Sequence, residues 1–392
     1  MLSLMKIKMS IKSVLNSLIL TTAFGCFCTL AGGAKAQAQG LPNYKVDPNW
    51  PKQLPNNWII GQIGGLTVDK DDHIWVFHRP RSLTVDEAGA AQTPPITKCC
   101  IPAPSVLEFD TDGNLLKSWG GPGYVPDWPA SEHGILVDKA GNVWLTGNGH
   151  PVARGANAAP EDREVLKFTN DGKLLMEIGH PAVGPDNNQD TGMLGSPAGM
   201  EIDEAAHELY VADGYGNRRI VVYDTETGAF KRGWGAYGIP LSDIDNGEIP
   251  VYNPANPPAK QFLGPVHCVH ISTEGLVYVC DRTANRIQVF TKQGKFVKEF
   301  FVEPQTLRGG SIWTLNFSHD PQQKYLIVGD GGNNFVWILN RDDGKVMGSF
   351  GHPGRNAGQF HWLHQAGMDS QGNLYTGEVD TGKRIQKFIL QK

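Results

Sequence analysis

The sequence predicts an all-β fold, a six-bladed β-propeller with four antiparallel strands per blade, and three observations carry that prediction. The first is one complete unit, residues 264–300, which reads as four short strands. Val269 and Ile271 alternate on the first, Leu276 to Val279 form the second, Arg286 to Phe290 the third and Lys295 to Phe300 the fourth, with tight turns ending in Gly275 and Gly294. The second is recurrence, because six copies of that unit line up along the chain. The third is that the sixth copy stops after Phe388 without a fourth strand, while the extended residues 44–50 are available to supply it. Closing the ring this way removes two open sheet edges.

The ruler for the repeat is its first strand: a column residue, then apolar residues two and four positions on, then Asp or Ser. It opens the blades at Gly64, His133, Ala198, His267, Trp313 and His364. Second strands such as Ile74 to Phe77 and Leu209 to Ala212 follow. Third strands such as Val106 to Phe109 and Arg219 to Tyr223 come next, each before a turn closed by a glycine: Gly113, Gly172, Gly228, Gly294 and Gly344.

The N-terminus reads differently. Lys6, Lys8 and Lys12 precede an apolar run over residues 14–32, and Ala34, Ala36 and Ala38 offer a small-x-small pattern, so residues 1–38 are expected to be a signal peptide. A single propeller domain over 39–392 is then exported, periplasmic or secreted, with no membrane association after cleavage. Removal of four lysines and no acids takes the formal charge from −5 to −9. An acidic chain without Lys/Arg blocks is a poor nucleic-acid binder. Of six cysteines, Cys99, Cys100, Cys268 and Cys280 lie outside that segment, none in C-x-x-C spacing, which removes the usual cysteine zinc site and redox motif. Pairing of Cys268 with Cys280 across one hairpin stays open.

In an up-down blade the start of strand one, the end of strand two and the link to the next blade share one end. The long irregular insertions, residues 80–104, 147–163, 180–195 and 236–263, all belong to that end. Long loops gathered on one rim of a rigid scaffold make a binding or catalytic face.

Histidine fills the column in blades two, four and six and in no other, although the chain has only 12 in 392 residues. Alternate blades of a six-fold ring are related by 120°, so His133, His267 and His364 are expected to converge on the axis. Three neutral imidazoles meeting at a point form a metal site with open positions, the layout of a catalytic zinc centre. The same rim carries Arg79 and Arg282 at the ends of second strands, and Tyr215 between Gly214 and Gly216, which are expected to take positive φ and push the phenol outward. Two guanidiniums suit a carboxylate substrate. A phenol, with an ordinary pKa near ~10, becomes a base where cationic neighbours favour its phenolate.

With those residues in register the chain resembles the peptidyl-α-hydroxyglycine α-amidating lyases (peptidylamidoglycolate lyases), six-bladed propellers of the NHL-repeat type. The matching stretches are Val76 to Arg79, His133-Gly134, Asp213 to Ile220, Pro265 to His267, Asp281-Arg282, Asn285 to Gln288, and His364. The resemblance implies a metal-dependent lyase that cleaves the N–Cα bond of a C-terminal α-hydroxyglycine to give an amide and glyoxylate. It implies zinc, or another divalent transition metal such as iron, on His133, His267 and His364. Tyr215 would be the base, and Arg79 and Arg282 would hold the substrate carboxylate. The substrate would be a peptide or small molecule ending in a carboxylate, and the hydroxylating monooxygenase a separate partner.

The chain departs from the family pattern at Trp362-Leu363-His364-Gln365, where Met-Pro-His-Asp is usual. Gln365 offers a neutral oxygen and no charge, which counts against the family's structural calcium. Gly195 and Gly216 stand where the animal enzymes carry a cysteine pair. Two other classes remain open on sequence alone: a non-catalytic NHL propeller that binds a protein, peptide or glycan on its loop-rich face, and a calcium-dependent lactonase-type hydrolase. The histidine column counts against the latter, since hard cations take oxygen ligands.

Overall fold

The computed structural model describes residues 40–149 and 160–391, which form six four-stranded antiparallel sheets and no α-helix. The segment read as a signal peptide and part of the second insertion lie outside the described residues. No helix among the described residues is long and apolar enough to cross a membrane.

Blade 1 pairs Gln62–Val68, Ile74–Arg79, Val106–Phe109 and Leu115–Trp119 in that order, and blades 2 to 5 repeat the pattern. Blade 6 is closed from the N-terminus: Asn43–Asp47 runs antiparallel to Ile385–Gln391, with Val46 opposite Phe388. The closing strand ends three residues earlier than the 44–50 expected from sequence. Trp50 leaves the sheet to pack between Phe109 of blade 1 and Tyr375 of blade 6, at ring-centroid distances of 5.9 and 5.0 Å.

Second strands read as unbroken apolar runs because both their faces are buried. Successive side chains point to opposite faces of a strand, so Ile74 and Val76 pack toward blade 6 while Trp75 and Phe77 pack toward blade 2. The same division recurs at Tyr210 and Ala212 against Leu209 and Val211. The apolar core is thus six clusters, one at each junction between neighbouring blades.

Polar side chains lock the two ends. At the short-turn end the aspartate closing strand one accepts backbone N–H groups of its own turn and a ring donor from strand two. Trp75 Nε1 donates to Asp69 at 2.8 Å, Trp144 Nε1 to Asp138 at 3.1 Å, and the Tyr375 hydroxyl to Asp369 at 3.0 Å. At the other end a carboxylate closing strand two takes the Nε–H of an arginine opening strand three. These pairs are Asp213 with Arg219 at 2.7 Å, Asp281 with Arg286 at 2.8 Å and Glu378 with Arg384 at 2.7 Å. Cys268 and Cys280, opposite one another on the first two strands of blade 4, are disulfide-bonded, as are the adjacent Cys99 and Cys100.

Candidate metal centre and anion pocket

His133, His267 and His364 reach the axis through a defect in the ladder. The pairing of strand one with strand two shifts register between Glu132 and Ile135, between Val266 and Cys268, and between Leu363 and Gln365. Each histidine stands at such a bulge, where an unpaired residue is re-aimed out of the regular alternation. All three are buried, with ring centroids 5.0, 4.9 and 4.9 Å apart and planes inclined by 77 to 80°.

The residues fit a metal ion. One nitrogen from each ring lies within 4.8 Å of the other two. Tetrahedral imidazoles at a Zn–N distance of ~2.0–2.1 Å place their ring centres about 5 Å apart, which is the spacing found. His267 Nδ1–H donates to the Trp313 carbonyl and His364 Nδ1–H to the Ile63 carbonyl, the latter at 3.0 Å. Carbonyls only accept, so both rings carry their proton outward and turn the Nε2 lone pair inward, the orientation that ligating imidazoles need. His133 has no such carbonyl among the described residues, where its Nδ1 is buried without a partner. All three pKa values lie well below the usual imidazole value, first because burial penalises the cation and then because the neighbouring histidines, for His133 and His364, and Arg79 and Arg282, for all three, oppose a further positive charge. Neutral rings are the form that binds a metal.

Tyr215 faces this cluster. Its hydroxyl is 3.1 Å from His133 Nε2, 3.1 Å from His267 Nε2, and accepts from Arg282 Nη1 at 3.2 Å. What holds it there is the corner after Asp213. Asp213 is fully buried, accepts from Gly195 N–H and Asn217 Nδ2 at 2.7 and 2.8 Å, and pairs with Arg219. Gly214 and Gly216 do not take the positive φ expected of them. They are small for another reason: a Cβ at Gly214 would run into the backbone of Val266, and one at Gly216 into the Asp186 carboxylate. The turn is pressed against blade 4, and contact with that blade aims the phenol.

Arg282 follows the buried Asp281 in the same way. Its guanidinium stacks on Trp313 at 4.2 Å from the ring centroid and lies 5.6 Å from that of Tyr215. Arg79 is held by neutral oxygens: Nε donates to the Glu132 carbonyl at 2.7 Å, Nη1 to Gln62 at 3.0 Å and Nη2 to Asn148 at 3.1 Å. Burial lowers its pKa, partly offset by Tyr215, Glu132 and Asp162. Neither arginine has an ion-pair partner among the described residues. Together with Tyr215, His364, Trp313 and Trp362 they line a pocket of about 410 Å³. Two guanidiniums without counter-ions beside neutral imidazoles form a site for an anion.

The structure therefore brings all six sequence-predicted residues to one place. Trp313, the Asp213–Arg219 and Asp281–Arg286 pairs, and His78 stand in the repeat and its matching stretches but carried no role on sequence alone. His78 is buried behind Arg79, accepts from Gly61 N–H at 3.1 Å and donates to the Pro104 carbonyl at 2.9 Å. The available signal for the pairs was a carboxylate at the end of strand two, Asp281 directly before Arg282 and Asp213 two residues before Tyr215; nothing local distinguishes His78.

No family model matches the chain. A Xenopus laevis protein named peptidyl-glycine alpha-amidating monooxygenase B is 26% identical over 366 residues, covering 88% of this chain and 35% of that protein. Drosophila melanogaster peptidyl-alpha-hydroxyglycine alpha-amidating lyase 1 is 24% identical over 384 residues, covering 91% of this chain and 61% of that one. The chain is similar to amidating lyases. It is also similar to mouse NHL repeat-containing protein 3, at 29% identity over 64% of this chain and 57% of that protein. It spans about a third of the length of the frog relative and under two thirds of the other two. Among solved structures, a streptogramin B lyase superposes with a TM-score of 0.50 at 15% identity over 89% of this chain and 98% of that one, a likeness of fold.

Proposed function

We propose that this protein is a metal-dependent lyase that cleaves the N–Cα bond of an α-hydroxyglycine-type substrate, releasing an amide and glyoxylate. The observation that carries the reading is the Tyr215 hydroxyl, 3.1 Å from two of three convergent imidazoles and 3.2 Å from a guanidinium that has no counter-ion among the described residues. The likeness to proteins named for amidating lyase activity supports it.

Arg79 and Arg282 bind the substrate carboxylate and set the hydroxyl-bearing carbon beside Tyr215. Tyr215, as phenolate, takes the hydroxyl proton. The oxygen electron pair becomes the aldehyde C=O of glyoxylate as the C–N bond breaks. Tyr215 then returns its proton to the departing amide nitrogen, so one proton moves from oxygen to nitrogen and no water is consumed. A divalent ion on His133, His267 and His364, zinc by the preference of a three-imidazole site, supplies Lewis-acid polarisation when bound. Arg282 stabilises the phenolate through Nη1, and the same guanidinium turns its face to Trp313, which holds it in register.

The test is glyoxylate release from α-hydroxyhippurate by zinc-loaded protein, with His267→Ala as control. Release that depends on His267 is expected; no release from protein shown to hold its metal overturns the reading. A second reading, a non-catalytic propeller that binds a ligand on this rim, is favoured by the likeness to NHL repeat-containing protein 3. It requires ligand binding to survive His267→Ala in a metal-free protein.

A further inference from the structure

We infer that Trp362 forms the wall of an acyl subsite that selects substrates whose group beyond the scissile bond is aromatic or flat and apolar. This rests on the lyase reading for the orientation of the substrate, since carboxylate and hydroxyl are then taken by Arg79, Arg282 and Tyr215. The acyl group must occupy what is left of the pocket, where Trp313, Trp362 and Val379 form the apolar side and Gln62, Asn148 and Asp380 the polar one.

Trp313 has one face covered by the Arg282 guanidinium and its edge near His364, at a centroid distance of 5.8 Å. Trp362 packs on Trp313 at 5.6 Å and 57° and remains half-buried, so beyond Tyr215 its indole is an aromatic surface open to the pocket. The backbone holds it there at a cost. Trp362 has φ of 58°, a left-handed conformation unfavourable for a bulky side chain. Two hydrogen bonds pin it: its N–H donates to Asn334 Oδ1 at 2.7 Å and its carbonyl accepts from Val379 N–H at 3.0 Å. Asp380, the residue after Val379, is exposed and adds a carboxylate to the pocket lining. The subsite therefore disfavours an acyl group carrying its own acid.

The experiment is a calorimetric comparison of hippurate with N-acetylglycine on the purified protein. Both carry the carboxylate, neither has the hydroxyl, and so neither turns over. Aromatic contacts of this kind favour the benzoyl compound by roughly fivefold. That preference should fall to near parity in Trp362→Ala and persist in Trp362→Phe. Equal affinities in the unmodified protein, binding of neither compound, or a preference unchanged in Trp362→Ala overturn the subsite. A preference for hippurate without glyoxylate release from α-hydroxyhippurate leaves the subsite and sinks the lyase, and release with equal affinities does the reverse.

Discussion

The hydroxyl of Tyr215 and Nε2 of His267 lie 3.1 Å apart, although one belongs to the corner of blade 3 and the other to a bulge in blade 4. Gly214, packed against the backbone of Val266, joins the two. The proposed base and a candidate metal ligand are thus set by one contact between neighbouring blades, and the same contact brings the phenol beside Arg282.

Tyr215→Phe removes the proposed proton carrier and leaves the ring packing. Glyoxylate release should fall by ~10²–10⁴ in kcat, the usual worth of general acid–base catalysis. Bound metal, measured by atomic emission, should stay at the level of the unmodified protein. Unchanged turnover removes Tyr215 from the mechanism.

His267→Ala breaks a three-ligand site. Metal content should drop from one equivalent to near zero, and a chelator should inactivate the unmodified protein in a way zinc restores. Full metal retention in the variant argues against the histidine cluster as the centre.

Arg282→Ala leaves the substrate carboxylate one guanidinium short. A hydrogen bond to a charged group is worth ~1.5–3 kcal/mol, so KM should rise by roughly tenfold or more. Because Arg282 also donates to Tyr215, kcat should fall as well. A change in neither parameter separates Arg282 from the reaction.

Acid should loosen the region behind Arg79. Burial pushes His78 down to about 4, against an unfolded value of ~6.5. Between those values the unfolded chain binds the extra proton, so the contribution is full above pH ~6.5 and is lost as pH falls toward 4. The neutral ring matches its surroundings, with Gly61 N–H aimed at Nδ1. Denaturant melts from pH 7 to 4.5 should show a steeper loss of stability in the unmodified protein than in His78→Gln.

Trp50→Ala should cost ~3–5 kcal/mol, the range for emptying a large buried aromatic site. Trp50 is 5% exposed and joins blades 1 and 6 through Phe109 and Tyr375. Equilibrium unfolding reads the loss. Glyoxylate release well below the melting temperature should hardly change, because the pocket is lined by other residues.

The number of blades, the strand order within each, the closure by an N-terminal strand and the column that holds His133, His267 and His364 were all legible in the residues alone. Those features follow from period-two alternation and turn chemistry, which are local and repeat six times. The convergence of the three histidines was legible for the same reason, since symmetry converts a column in the repeat into a point in space. How the side chains are aimed is set instead by packing between strands and blades. The bulges at His133, His267 and His364 arise in the pairing of two strands, and no residue type marks them. Gly214 and Gly216 show the limit most clearly: a small residue is compatible with positive φ or with close approach, and only the presence of Val266 and Asp186 beside them selects the second. Trp313 and Trp362 share a wall of the pocket although 49 positions separate them in sequence, because packing between blades 5 and 6 sets their distance.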